Sequence, residues 1–127
     1  MSCSYRLLHL YEDAVTFCNF NKYMTGYADT DLFRPSNELT RAGFVTVLHR
    51  IVDPEAAGVD FTTAKNETGF ADIEDGKFYT AAANWAVANK IITGVDVDGT
   101  RYIQADTILS RAMAAQVIAN SCYNDLL

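Results

Sequence analysis

Side chains able to carry chemistry are scarce in this chain, which has two histidines, three cysteines, one tryptophan and two prolines in 127 residues. With only His9 and His49 available, and far apart in sequence, metal and catalytic-triad chemistry start from thin material. Cys3, Cys18 and Cys122 cannot all pair within one chain. None forms the close pairs that mark zinc or redox sites, so they read as small, half-buried thiols. Few prolines beside 50% apolar and 20% charged residues exclude a disordered tail, a collagen-like chain and a low-complexity linker. No stretch approaches the ~18 uninterrupted apolar residues of a membrane span, and the start MSCSYRLLHLYED lacks a signal-peptide core. As written, the chain reads as soluble.

Positive charge is also short. Ten Lys and Arg stand against sixteen Asp and Glu, a formal net charge of −6, so the mean field repels phosphate backbones and anionic lipid. Lys65, Lys90, Arg50 and Arg101 are dispersed and give no basic stripe. Neither a nucleic-acid partner nor membrane insertion is expected. Against ~100–200 residues per domain, the length predicts a single domain, 1–127.

What the chain does have is internal repetition. Segment 11–26 (YEDAVTFCNFNKYMTG) lies over 79–94 (YTAAANWAVANKIITG) at one offset, matching Ala14/Ala82, Asn21/Asn89, Lys22/Lys90 and Gly26/Gly94, with Phe17 on Trp85. Further on, Leu39-Thr40-Arg41-Ala42 falls on Leu109-Ser110-Arg111-Ala112, the offset having grown by two in the loop. Each unit reads as helix, loop, helix. Tyr11, Ala14, Val15 and Cys18, and likewise Tyr79, Ala82, Ala83 and Ala86, follow i, i+3, i+4, i+7 spacing and predict an inward stripe. Gly26 and Gly94 stand where a left-handed residue closes a helix. The second helices carry Phe44, Val47, Leu48, Ile51 and Val52 against Ala114, Val117, Ile118, Ser121 and Cys122, a weaker stripe in the second copy.

Repeat one thus spans 1–52 and repeat two 70–127, with a Gly-, Thr- and acid-rich connection over 53–69. Asn66-Glu67-Thr68 fits a glycosylation sequon, a pattern that recurs by chance. Asp96-Val97-Asp98-Gly99 resembles part of a calcium loop, yet its closing position would be Ala105 rather than a bidentate Glu, so no metal site is expected. Glu74-Asp75 and Glu12-Asp13 are adjacent and point apart, and no nucleophile, base and orienter can be assembled. The expectation is a non-enzyme without cofactors.

Taken in order, Phe70-Ala71-Asp72, Trp85-Ala86, Lys90-Ile91-Ile92-Thr93-Gly94 and Leu109-Ser110-Arg111-Ala112 resemble the motifs of S-layer homology modules of bacterial surface proteins. Tyr23-Met24-Thr25-Gly26-Tyr27, Phe33-Arg34-Pro35 and Leu39-Thr40-Arg41-Ala42 give a second set in unit one. The resemblance implies an all-α fold, with each repeat donating helices to a small bundle that is part or all of a three-pronged, pseudo-threefold spindle. It also implies grooves that hold a secondary cell-wall polysaccharide through a ketal-linked pyruvate. Carried over, the ligand-binding positions are Asp72, Trp85, Gly94 and Arg111 in unit two, and Gly26 and Arg41 in unit one. Unit one departs by having Phe17 for the Trp and no F-x-D. Both units lack the Glu that follows the T-R-A motif, with Gly43 and Met113 in its place, which removes a capping-box partner.

Helix physics supports the two arginines separately. Thr40 and Ser110 are natural N-caps, so Arg41 and Arg111 fall in a first turn, where the helix dipole disfavours a cation by ~0.3–1 kcal/mol. Free first-turn N–H groups beside a guanidinium fork suit a carboxylate. The alternative is a bridge from each Arg to Asp29, Asp31, Asp72 or Asp106; for Trp85 it is core packing, for the glycines capping, and for Asp72 a simple cap. Two functions follow: a wall-polysaccharide anchor on a Gram-positive-type cell surface, if the chain is part of an exported parent, or a protein-interaction module, cytoplasmic if Met1 is the true start. Two repeats leave one bundle face open, to be covered by residues 7–11 with Val59 and Phe61, by a third repeat, or by a second chain or protein partner.

Overall fold

The computed structural model describes residues 5–25 and 37–126. Helix α1 spans Tyr5–Phe20 and kinks at Tyr11 (φ −119°, ψ 17°), and α2 spans Arg41–Val52. After two short 3-10 turns, Pro54–Gly58 and Phe61–Thr63, come α3 (Thr80–Ala88), β1 (Val95–Val97), β2 (Thr100–Tyr102) and α4 (Arg111–Tyr123).

The all-α expectation, and the spindle with it, is corrected by the antiparallel hairpin β1–β2. Its cause is local. Asp98 (φ 52°) and Gly99 (φ 84°) form a two-residue loop with both φ positive, closed by the Val97–Thr100 pair. This is the Asp-Gly turn whose twist matches that of paired strands, and Asp96 Oδ1 accepts the Gly99 amide at 3.0 Å. The fold is small and mixed, mostly helical.

One feature repeats three times. At the end of α1, Lys22 N–H donates to Asn19 O and Tyr23 N–H to Cys18 O; after α3, Lys90 donates to Val87 and Ile91 to Ala86; after α4, Asp125 donates to Cys122 and Leu126 to Ser121. Lys22, Lys90 and Asp125 are left-handed, with φ of 60°, 58° and 58°. Each is a Schellman ending. The Asn before each one, Asn21, Asn89 and Asn124, donates its side-chain amide to the carbonyl four residues back at 2.9, 2.8 and 2.7 Å. The helices therefore close at Lys22 and Lys90 rather than at the glycines four residues later.

The core gathers Val45 and Leu48 of α2, Ala82, Ala83 and Ala86 of α3, and Phe70, Ile73, Ile91, Ile103 and Val117. The alanine stripe of α3 is buried as its spacing predicts. That of α1 is not, since Tyr11 and Ala14 are exposed and Val15 is buried outside the main cluster. Val59 and Phe61 are exposed as well, so the connection does not cover an open face.

Its residues are used locally. Asp53 and Asp60 cap the two 3-10 turns through the amides of Glu55 and Thr62. Asn66 of the sequon donates to the carbonyls of Phe70 and Ile73, both at 2.9 Å, and accepts from the amide and hydroxyl of Thr68. Asn84 on α3 clamps the same turn through Glu67 N and Lys65 O. This network seats Phe70, which is 2% exposed, at the head of repeat two.

The segments that precede α2 and α4 meet each other. Thr40 and Ile108 form an antiparallel bridge, with Leu109 N–H to Leu39 O at 2.8 Å and Arg41 N–H to Thr107 O at 3.0 Å.

Candidate functional site

Around this junction the structure places four of the six residues picked from the sequence in framework positions, leaves one open, and does not describe the sixth. Asp72 follows buried Phe70 by two residues. Its Oδ1 accepts the Ile103 amide at 2.8 Å and its Oδ2 the Ala105 amide at 3.0 Å, so both oxygens hold the loop ahead of α4. Charge-assisted bonds of this kind are roughly twice as strong as neutral ones.

Arg41 occupies the first turn of α2, facing that loop. Nη1 lies 3.4 Å from Gln104 Oε1, and Nε is buried without a hydrogen-bond partner among the described residues. Burial lowers the Arg41 pKa from its ordinary value, while the negative charge of Asp72 opposes the shift. Beside it is a cavity of about 10 Å³ lined by Ala42, Val45, Ile73, Tyr79 and Ala83, space for a single water. The first-turn amides of α2 are already taken: Arg41 by Thr107 O, Ala42 by Ala105 O and Gly43 by Thr40 Oγ1. Helix α2 thus has no free N–H group to offer an anion there.

Arg111, at the matching position of α4, is different. Ser110 Oγ accepts the Met113 amide at 3.1 Å, and Met113 Sδ lies 3.5 Å from the Ser110 amide, standing in for the missing Glu as a weak acceptor. Arg111 is exposed. Among the described residues, neither its guanidinium nor the amides of Arg111 and Ala112 have a partner.

Trp85 is half-buried and stacks on His49 of α2, with ring centroids 4.9 Å apart and planes 21° from parallel. Gly94 is a close-packing glycine: a Cβ there would fall within the Phe70 ring and against Tyr102 O. Gly26 lies outside the described residues.

Sequence reasoning did not group the residues of an open groove of about 440 Å³ lined by Ala71, Asp72, Glu74, Lys77, Tyr79 and Asp106. They come from three separate turns, and of the charged ones only Asp72 belongs to a motif. Lys77 pairs with Glu74 at 3.5 Å. Burial raises the Tyr79 pKa, a backbone hydrogen bond at Glu74 lowers it, and the charges of Glu74 and Asp106 raise it further. With three carboxylates to one lysine, the groove favours hydroxyl and cationic donors over an anion.

Among the described residues, no group of three His, Cys, Asp or Glu side chains is placed to hold a metal ion, and no helix is long and apolar enough to cross a membrane. Cys18 and Cys122 are free thiols. Comparison with family models, curated proteins and solved structures finds no match to this chain.

Proposed function

We propose that this chain is a non-catalytic binding module of the S-layer homology type, attaching a bacterial surface protein to a pyruvylated secondary cell-wall polysaccharide. The ordered double set of motifs supports the reading. The observation that carries it is the contrast between the two helix starts. Thr107 and Ala105 close α2 over Arg41, whereas α4 presents Arg111 with two first-turn amides unpaired among the described residues. A ligand carboxylate there meets the helix dipole, backbone N–H donors and a bidentate guanidinium together. The acidic groove beside Asp72 is suited to the uncharged sugar hydroxyls, which donate to carboxylates.

Cosedimentation with purified Gram-positive cell walls, before and after polysaccharide extraction, tests this with the wild type and Arg111→Ala at equal helicity. Binding that requires both the glycan and Arg111 is expected. A well-folded wild type that does not sediment with intact walls overturns the reading.

The second reading is a protein-interaction module, and it rests on α1. Tyr11, Phe17 and Phe20 are 56%, 59% and 84% exposed, a concentration of aromatics on one helix that suits a protein partner. That reading predicts no wall binding, and loss of the partner on Phe17→Ser with Phe20→Ser.

A further inference from the structure

The imidazole of His49 lies outside both helix starts and the acidic groove. It lies in the last turn of α2 against the sole tryptophan, on α3, where these two helices pack together. The ring is half-buried, and its nitrogens have no hydrogen-bond partner among the described residues. A proton can therefore reach it from solvent without breaking a polar network.

The surroundings do little to compensate a charge. Helix α3, TAAANWAVA, has no ionisable side chain. On α2 the neighbouring Arg50 is half-buried, and burial lowers its own pKa. Asp53, at the end of α2, is the one acid whose charge favours the imidazolium, and its Oδ1 is already engaged by the Glu55 amide at 3.2 Å. Glu55, exposed on the 3-10 turn packed against α2, adds a second carboxylate at that end of the helix.

We propose that the His49–Trp85 stack is a pH-sensitive joint between α2 and α3, closed while the imidazole is neutral and loosened when it takes a proton. Burial, with Arg50 adding to it and Asp53 opposing, holds the His49 pKa below its ordinary 6.5. The unfolded chain then binds the proton first. The stability the neutral stack provides is whole above about pH 6.5 and is lost as pH falls through that value toward the lower folded one. Carboxylates titrate nearer pH 4, so the window belongs to histidine. Since the α2 amides of Arg41 and Ala42 bond to the carbonyls of Thr107 and Ala105, loosening the joint reaches the segment that precedes α4. The device does not depend on what the module binds.

The test is Trp85 fluorescence from about pH 8 to about pH 5, with urea midpoints measured across the same range, in wild type, His49→Phe and His49→Gln. Phe keeps a stacking ring that cannot charge, and Gln is uncharged throughout. Both retain His9, so the difference from wild type isolates His49. In wild type, emission should titrate with a midpoint below 6.5 and the urea midpoint should fall on acidification. In either folded variant the emission step should vanish and the urea midpoint should hold. A wild-type midpoint at or above 6.5 would mean that the Trp85 ring face stabilises the cation and tightens the joint, which overturns the proposal. So would an unchanged profile in a folded variant.

Discussion

The Asp72 carboxylate receives the Ala105 amide at 3.0 Å, fastening the head of the second repeat to the loop that leads into its last helix. The carbonyl of Ala105 in turn takes the Ala42 amide at 3.1 Å, so the first turn of α2 rests on a loop that Asp72 holds in place.

Asp72→Ala should therefore destabilise the protein by about 2–4 kcal/mol, from two charge-assisted bonds to backbone amides that would be left part-buried and unpaired. Asp72→Asn keeps an acceptor and should cost roughly half as much. Urea unfolding followed by circular dichroism measures both. Equal midpoints for wild type and Asp72→Ala would show that the loop holds its place without the carboxylate.

Gly94→Ala should be destabilising by about 1–3 kcal/mol, because the added methyl must displace the buried Phe70 ring or the Tyr102 carbonyl. Phe70→Leu in the same chain should recover part of the loss by vacating the ring edge. Thermal melts of the single and double variants check the coupling, which is absent if Gly94 serves only to end a helix.

Lys90→Gly should stabilise the protein by up to about 1 kcal/mol, since φ is 58° there and glycine adopts it without a Cβ penalty. Gly99→Ala should do the reverse, destabilising by about 1–2 kcal/mol. Its φ is 84° and no atom lies within 4 Å of an added Cβ, so backbone strain is the whole effect. Chemical denaturation of the two variants should move in opposite directions.

The likeness of the two helix endings was legible because it is written in local chemistry. Asn21-Lys22 and Asn89-Lys90 recur at one offset and build the same Schellman ending. Which residue would carry the positive φ was not legible, since glycine is the usual choice and lysine an uncommon one. The hairpin had a sequence signal in Asp98-Gly99 between Val95-Asp96-Val97 and Thr100-Arg101-Tyr102. Every residue of both strands is exposed, so no buried face marks them as strands, and a turn-rich loop is the natural reading. The stripe on α1 fails for a different reason. Periodicity identifies a face, but only a partner surface buries it, and the core cluster forms around α2 and α3 without Val15. At the site, the motif picked out Asp72, Arg41 and Arg111. It could not distinguish a carboxylate whose oxygens bind backbone, or a helix start closed by another repeat's carbonyls, from an open one.

That difference separates the two arginines experimentally. Arg41 is half-buried beside Asp72 and borders the small cavity with Ala42 and Val45. Arg41→Ala should therefore lose packing as well as charge and destabilise by about 1–3 kcal/mol. Arg111 is exposed and without a partner among the described residues, so Arg111→Ala should change stability by no more than about 0.5 kcal/mol. Removing a cation from the positive end of the α4 dipole favours the variant within that range. If Arg111 is the ligand contact, its replacement abolishes wall binding at undiminished stability, Arg111→Lys restores little because a point charge lacks the bidentate fork, and raising the salt concentration weakens the wild type. If Arg41→Ala at matched stability proves the more damaging to binding, the ligand enters at the junction between the repeats and not at the open start of α4.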